Sequence, residues 1–223
     1  MSSLSSHIDH TLLSPACTDA QIVKLCEEGH EHGFAAICVM PYYVPLAVKV
    51  MEDLGSEVAV CTTIGFPNGL HHTIVKVAEA HKALHDGARE LDMVMNIGAL
   101  KSGHTAVVLE DIRALALAAH ESGAILKVIL ETSLLTDDEK RRACELAGIA
   151  GTDFVKTSTG FSTGGATVHD IRLMREASPP GVRIKASGGI RDYQTALAMI
   201  EAGAERIGTS SGIAILAGAA GKV

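Results

Sequence analysis

Charged residues stand where apolar ones are expected. Asp9, Asp92, Lys127, Lys156 and Lys185 each fall inside a short run of aliphatic and β-branched residues, such as Glu90-Leu91-Asp92-Met93-Val94 and Asp153-Phe154-Val155-Lys156-Thr157. Taken singly, each reads as a buried ion pair or a strand-end residue that reaches water. Five of them on separate strands that converge read as chemistry. Two ammonium groups about 5 Å apart at an effective dielectric of about 20 repel by roughly 3 kcal/mol, or about two pKa units. Burial pushes the same way. Of Lys156 and Lys185, near the ends of their strands, one is then partly neutral near pH 7 and able to attack a carbonyl carbon as a Schiff-base nucleophile. Lys127 is the rival, but it comes early in its strand and should lie deeper. Asp92 shares strand parity with Val94 and Asn96, and its carboxylate either moves protons or keeps a lysine charged. Asp9, in His7-Ile8-Asp9-His10, is a second carboxylate candidate.

Two later segments point to an anion. Ser187-Gly188-Gly189-Ile190 follows one apolar run, and Gly208-Thr209-Ser210-Ser211-Gly212 follows the next and opens a helix. Bare N–H groups, hydroxyls and a helix N-terminus bind phosphate, against the plainer reading of two ordinary glycine-rich turns. The implied substrate is a small phosphate ester. The histidines make a weaker case for metal. His7, His10, His71 and His72 have no metal-site spacing, and His81/His85 share a helix face without the intervening Glu of a metalloprotease. A structural or surface role is expected for them.

The elements that must position these residues alternate along the whole chain. Strands are expected at 8–12, 35–40, 58–64, 91–96, 124–130, 154–157, 183–186 and 206–208. Helices are expected at 19–32, 44–54, 70–86, 104–122, 136–150, 167–178 and 192–202, with another from about Ser210. Gly33, Gly87, Gly123, Gly151 and Gly203 each separate a helix from the next strand, where a left-handed C-cap belongs. Thr18/Gln21 and Thr136/Glu139 have capping-box spacing, so Asp137-Asp138-Glu139 reads as a helix N-terminus rather than a metal site. Eight strands alternating with eight helices close most naturally as a single (β/α)8 TIM barrel over 1–223. An open doubly wound sheet is the runner-up, but no glycine follows the first strand to hold a dinucleotide.

Composition narrows the partners. The 223 residues carry 19 Lys+Arg against 26 Asp+Glu, a net charge of −7, with 3% aromatic residues and no Trp. Neither nucleic acid nor an anionic membrane surface is an expected partner. Five cysteines with no CxxC indicate neither a disulfide framework nor a zinc ribbon. The first residues lack the basic and apolar parts of a signal peptide, and the longest apolar run, interrupted by Pro41 and Pro45, is too short for a bilayer. A soluble, cytoplasmic protein is expected. Cys38 and Cys61 read either as small buried hydrophobes or, near the mouth, as thiols open to alkylation by unsaturated aldehydes.

Ile8-Asp9-His10-Thr11-Leu12-Leu13, Thr63-Ile64-Gly65-Phe66-Pro67, the Glu90–Gly98 block, Lys127-Val128-Ile129-Leu130-Glu131-Thr132, Asp153-Phe154-Val155-Lys156-Thr157-Ser158-Thr159-Gly160, Lys185-Ala186-Ser187-Gly188-Gly189-Ile190-Arg191 and Arg206-Ile207-Gly208-Thr209-Ser210-Ser211 together resemble the deoxyribose-phosphate aldolases almost end to end. The resemblance implies a class I aldolase on a TIM barrel with no metal or organic cofactor. It would interconvert 2-deoxy-D-ribose 5-phosphate with D-glyceraldehyde 3-phosphate and acetaldehyde. It makes Lys156 the Schiff-base lysine, Lys185 the residue that perturbs it, and Asp92 the proton donor and acceptor. Gly160, Gly188, Gly189, Gly208, Ser210 and Ser211 would hold the phosphate, with Thr159 and Asp9 facing the sugar or its proton relay. A homo-oligomer, dimer or tetramer, is implied as well. Two positions depart from the pattern: Phe161 stands where some members have lysine, and the chain ends Ala220-Gly221-Lys222-Val223 where some carry a tyrosine tail. Beside the aldolase stand an isomerase or epimerase using a carboxylate base on the same barrel, a non-catalytic phosphate binder, and, more remotely, a zinc-dependent aldolase.

Overall fold

The computed structural model describes residues 4–220; the terminal residues 1–3 and 221–223, and with them the end of the C-terminal tail, lie outside the described residues. Eight parallel strands close into a barrel in sequence order, β1 pairing with β8. They are β1 (Ile8–Leu12), β2 (Ala36–Val39), β3 (Ala59–Ile64), β4 (Glu90–Val94), β5 (Ile125–Ile129), β6 (Phe154–Lys156), β7 (Arg183–Ser187) and β8 (Arg206–Thr209). The helices are α1 (Asp19–His32), α2 (Val44–Asp53), α3 (Thr73–His85), α4 (Ile97–Lys101), α5 (Thr105–Glu121), α6 (Asp137–Ala150), α7 (Val168–Ala177), α8 (Tyr193–Glu201) and α9 (Gly212–Ala220). The TIM barrel is the architecture the alternation predicts.

The expected punctuation is present. All five separating glycines lie at positive φ, from 60° at Gly33 to 114° at Gly203. At the start of α6, Thr136 N–H donates to Glu139 (2.8 Å) and Glu139 N–H donates back to the Thr136 hydroxyl (3.3 Å). Asp137 meanwhile pairs with Lys140 and His169. The difference from expectation lies after β4, which ends at Val94 rather than continuing to 96. Asn96 is therefore not a strand residue but the N-cap of α4, its side-chain oxygen accepting from Ala99 N–H at 3.0 Å. An Asn offers the backbone an alternative to the ladder, which periodicity alone does not register.

Alternation along each strand separates two interiors. One set of side chains faces the helices and is apolar: Ile37, Val60, Leu91, Met93, Val128, Ile184 and Ile207 all belong to one core cluster with the helix faces. The other set points into the lumen and includes every charged strand residue singled out above.

Candidate active site

Register brings the lumen charges together. Asp92 lies opposite Lys127 across β4 and β5, and Lys156 lies opposite Lys185 across β6 and β7. Lys156 also pairs with Ile129, two residues beyond Lys127 on β5, so Lys127 sits lower in the barrel. Asp92 is the hub. Its Oδ1 accepts from Lys127 Nζ at 2.8 Å and from the Cys61 thiol at 3.2 Å. Its Oδ2 accepts from both Lys156 Nζ and Lys185 Nζ, each at 2.7 Å. Lys185 donates in addition to Asp9, whose other oxygen accepts from Arg206 at 2.5 Å. Glu90 completes the base of the network, holding Lys127 at 2.5 Å and Arg206 at 3.1 Å.

Sequence reasoning missed Glu90 and Arg206. Both were legible: Glu90 stands two residues before Asp92 and Arg206 two before Gly208, on the same parity. Starting the fourth strand at Leu91 concealed the first.

The lumen also revises the electrostatic expectation for Lys185. Two lysines were expected to depress one another, but Asp92 stands between them. Burial pushes Lys185 down, yet Asp9 and Asp92 outweigh it and hold its ammonium above the ordinary lysine range. Lys127, equally buried, is held well above its ordinary value by Asp92, Cys61, Glu90 and Asp9. Burial would raise Asp92, but Lys127, Lys156 and Lys185 keep it far below the usual carboxylate range. Asp9 is likewise lowered against burial, by Lys185, Lys127 and Arg206. Three acidic side chains, Asp9, Glu90 and Asp92, thus meet four basic ones, Lys127, Lys156, Lys185 and Arg206, in the lumen.

A hollow of about 430 Å³ opens above this network and is lined by Lys156, Thr159, Gly160, Gly188, Gly189, Gly208 and Ser210, among others. Lys156 is the one lumen lysine that lines it. Asp9 does not; it lies beneath, fully buried, tied to Lys185 and Arg206. Ser211 also lies off the wall, its N–H donating to the Thr209 hydroxyl at 2.9 Å. The glycines serve close approach. A Cβ on Gly208 would meet Lys185 Cε at 3.0 Å, and one on Gly165 would meet the Gly188 carbonyl oxygen at 2.3 Å. That second contact is where the loop after β6 folds over the loop after β7.

Cys38 and Cys61 face the same lumen but are fully buried, packed with Leu13 and Ala36, and neither lines the hollow. The reading as small buried hydrophobes fits; exposure to aldehydes does not. With Asp92 they form a group whose ligand atoms lie within 4.8 Å of one another. The lysines on Asp92 make it a poor place for a cation. His81 and His85 are exposed on α3, and His10 is buried with its Nε2 2.8 Å from Glu28.

A family model described as DeoC/LacD family aldolase matches residues 4–218. The chain is 57% identical over 216 residues to the deoxyribose-phosphate aldolase of Thermococcus gammatolerans, covering 97% of this chain and 96% of that one. It is 56% identical to the deoxyribose-phosphate aldolase of Brevibacillus brevis, with the same coverage. Among solved structures, the tetrameric deoxyribose phosphate aldolase from Aeropyrum pernix superposes with a TM-score of 0.91 at 36% identity, over 99% of this chain and 92% of that one.

Proposed function

Because the chain belongs to the DeoC/LacD family of aldolases, we propose that it reversibly cleaves 2-deoxy-D-ribose 5-phosphate to D-glyceraldehyde 3-phosphate and acetaldehyde through a Schiff base on Lys156. The observation that carries this reading is the single lysine that joins two sites. Lys156 donates to Asp92 below and lines the hollow that reaches the glycine loops above.

In the direction of synthesis, Lys156 passes a proton to its surroundings and adds to the acetaldehyde carbonyl carbon. Loss of water gives an iminium ion, whose positive nitrogen acidifies the neighbouring methyl group. Asp92, 2.7 Å from both Lys156 and Lys185, is the route by which protons move among the three groups. Removing one methyl proton gives the enamine, which attacks the aldehyde carbon of glyceraldehyde 3-phosphate. The new alkoxide takes a proton, and water releases the product and restores the amine. Gly188, Gly189, Gly208, Ser210 and the N-terminus of α9 hold the phosphate through N–H groups and a hydroxyl, and Thr159 faces the sugar. The same reading takes 1–223 as one catalytic domain and the protein as a cytoplasmic homo-oligomer. No helix among the described residues is long and apolar enough to cross a membrane.

Borohydride trapping with acetaldehyde, followed by peptide mass spectrometry, tests the assignment. The expected result is a reduced two-carbon adduct on Lys156 that is absent from Lys156→Ala. An adduct on Lys127 or Lys185 would keep the reaction and overturn the roles. No adduct would favour the carboxylate-based isomerase.

A further inference from the structure

Glu131 stands apart from every other buried carboxylate. Among the described residues, Asp9, Glu90, Asp92, Asp111 and Asp170 each hold a lysine or arginine, Asp111 pairing with Lys76 at 2.6 Å and Asp170 with Lys140 at 2.7 Å. Glu131 is 2% exposed and has no ion pair among the described residues. One oxygen accepts from the N–H (3.2 Å) and the hydroxyl of Thr159; the other has no hydrogen-bond partner. Its backbone is also unusual: φ is +57°, the one positive value outside glycine among the described residues. Such a conformation is strained for a residue with a side chain and persists where the surroundings impose it.

Glu131 lines a second hollow, of about 330 Å³, beside the first. The two share Thr159 and Phe161. The other walls are mainly apolar, and Leu70, Leu134 and Phe161 leave 64%, 44% and 53% of their surface exposed there. No lysine, arginine or histidine is part of the lining. An unpaired buried carboxylate, an aromatic ring and aliphatic walls together suit an alkylammonium group. The carboxylate supplies the missing countercharge, the ring face adds a cation–π contact, and the walls cover methyl groups. The chain's net charge of −7 favours the approach of a cation.

We propose that this hollow is a second acceptor arm that binds aldehydes carrying an alkylammonium group, held by Glu131 and Phe161. The inference rests on the Schiff-base reading of Lys156. The chemistry is the same addition without redox change: the enamine carbon bonds to the aldehyde carbon, the aldehyde oxygen takes a proton, and water frees the 3-hydroxyaldehyde from Lys156.

Initial rates with acetaldehyde as donor test it, using 4-(trimethylammonio)butanal and its neutral isostere 5,5-dimethylhexanal as acceptors. The expected kcat/KM ratio favours the cation at least tenfold, and Glu131→Gln, which keeps an acceptor for Thr159, brings it close to one. Leu134→Lys, at the exposed rim, lowers the same ratio and serves if the first variant does not fold. A ratio near one in the unaltered protein, or one that survives both substitutions, overturns the proposal. So does a ratio unchanged in Glu131→Gln together with dissociation of an oligomer in Leu134→Lys, which would make the hollow a subunit contact. Turnover of glyceraldehyde 3-phosphate without preference for the cation would sink only this inference. If Lys156 forms no adduct, the functional reading falls. Saturable binding of butyltrimethylammonium, lost in Glu131→Gln, then decides the site by itself.

Discussion

The same eight strands carry two interiors that are equally dry and chemically opposite. Toward the helices lie Ile37, Leu91, Val128, Ile184 and Ile207; toward the lumen lie Asp9, Asp92, Lys127 and Lys185. All nine are fully buried. Burial therefore does not distinguish structure from chemistry here; pairing does. The helix-facing side chains gain by leaving water, roughly 1.5–3 kcal/mol each. The lumen charges lose hydration and recover it only through one another, so such a network is weak evidence of stability. Its geometry instead holds Lys156 beside a carboxylate under an open hollow.

Substitutions on the two faces should separate accordingly. The largest effect is expected for Lys156→Ala, which should abolish turnover and the borohydride adduct; retained turnover would move the chemistry elsewhere in the lumen. Asp92→Asn should follow, lowering kcat by about 10²–10⁴-fold with a much smaller change in KM, as measured by steady-state kinetics. On the other face, Ile184→Ala should cost about 2–5 kcal/mol in denaturant unfolding while kcat per folded molecule holds. A comparable loss of kcat would mean that the faces are not independent.

The pH dependence sharpens the contrast. Asp9 and Asp92 are held below the ordinary carboxylate range. Their contribution is present above about pH 4 and is lost as the pH falls through their lowered values. Lys127 and Lys185 are held above the ordinary range, so theirs is complete below about pH 10 and is lost only as the pH rises through the raised values. Unfolding free energy should change little from this source between about pH 5 and 9. Below pH 4 it should drop less steeply in Asp9→Asn than in the unaltered protein; equal slopes would contradict the assignment. The smallest effect is expected for Phe161→Lys, a fewfold lower KM for the phosphorylated aldehyde. An unchanged KM would show that the glycine loops already suffice.

Much of this is legible in the amino-acid sequence. Gly33 and Gly151 marked helix ends because a left-handed residue is needed there, and Thr136/Glu139 marked a start because the first N–H groups of a helix need acceptors. Asp92, Lys127, Lys156 and Lys185 announced themselves as charges among aliphatic neighbours. The misplaced end of β4 came from a local competition that periodicity does not see, between the ladder and the Asn96 cap. Glu131 was harder to find. It follows Leu130 at a strand end, where a charged residue is ordinary, and only its missing cation makes it unusual.

The division has a physical basis. Backbone conformation, capping and the alternation of apolar residues are short-range properties, so the sequence alone determined the alternation of strands with helices and which side chains share a strand face, while closure of the barrel and the short α4 after β4 became definite only in the structure. Partnership between charges is long-range. That Asp92 takes both Lys156 and Lys185 on one oxygen, 64 and 93 residues away, depends on strand register and barrel closure. So does the reversal of the expected shift at Lys185, because the sign of an electrostatic shift depends on the nearest charge, and only the tertiary structure decided which charge that was.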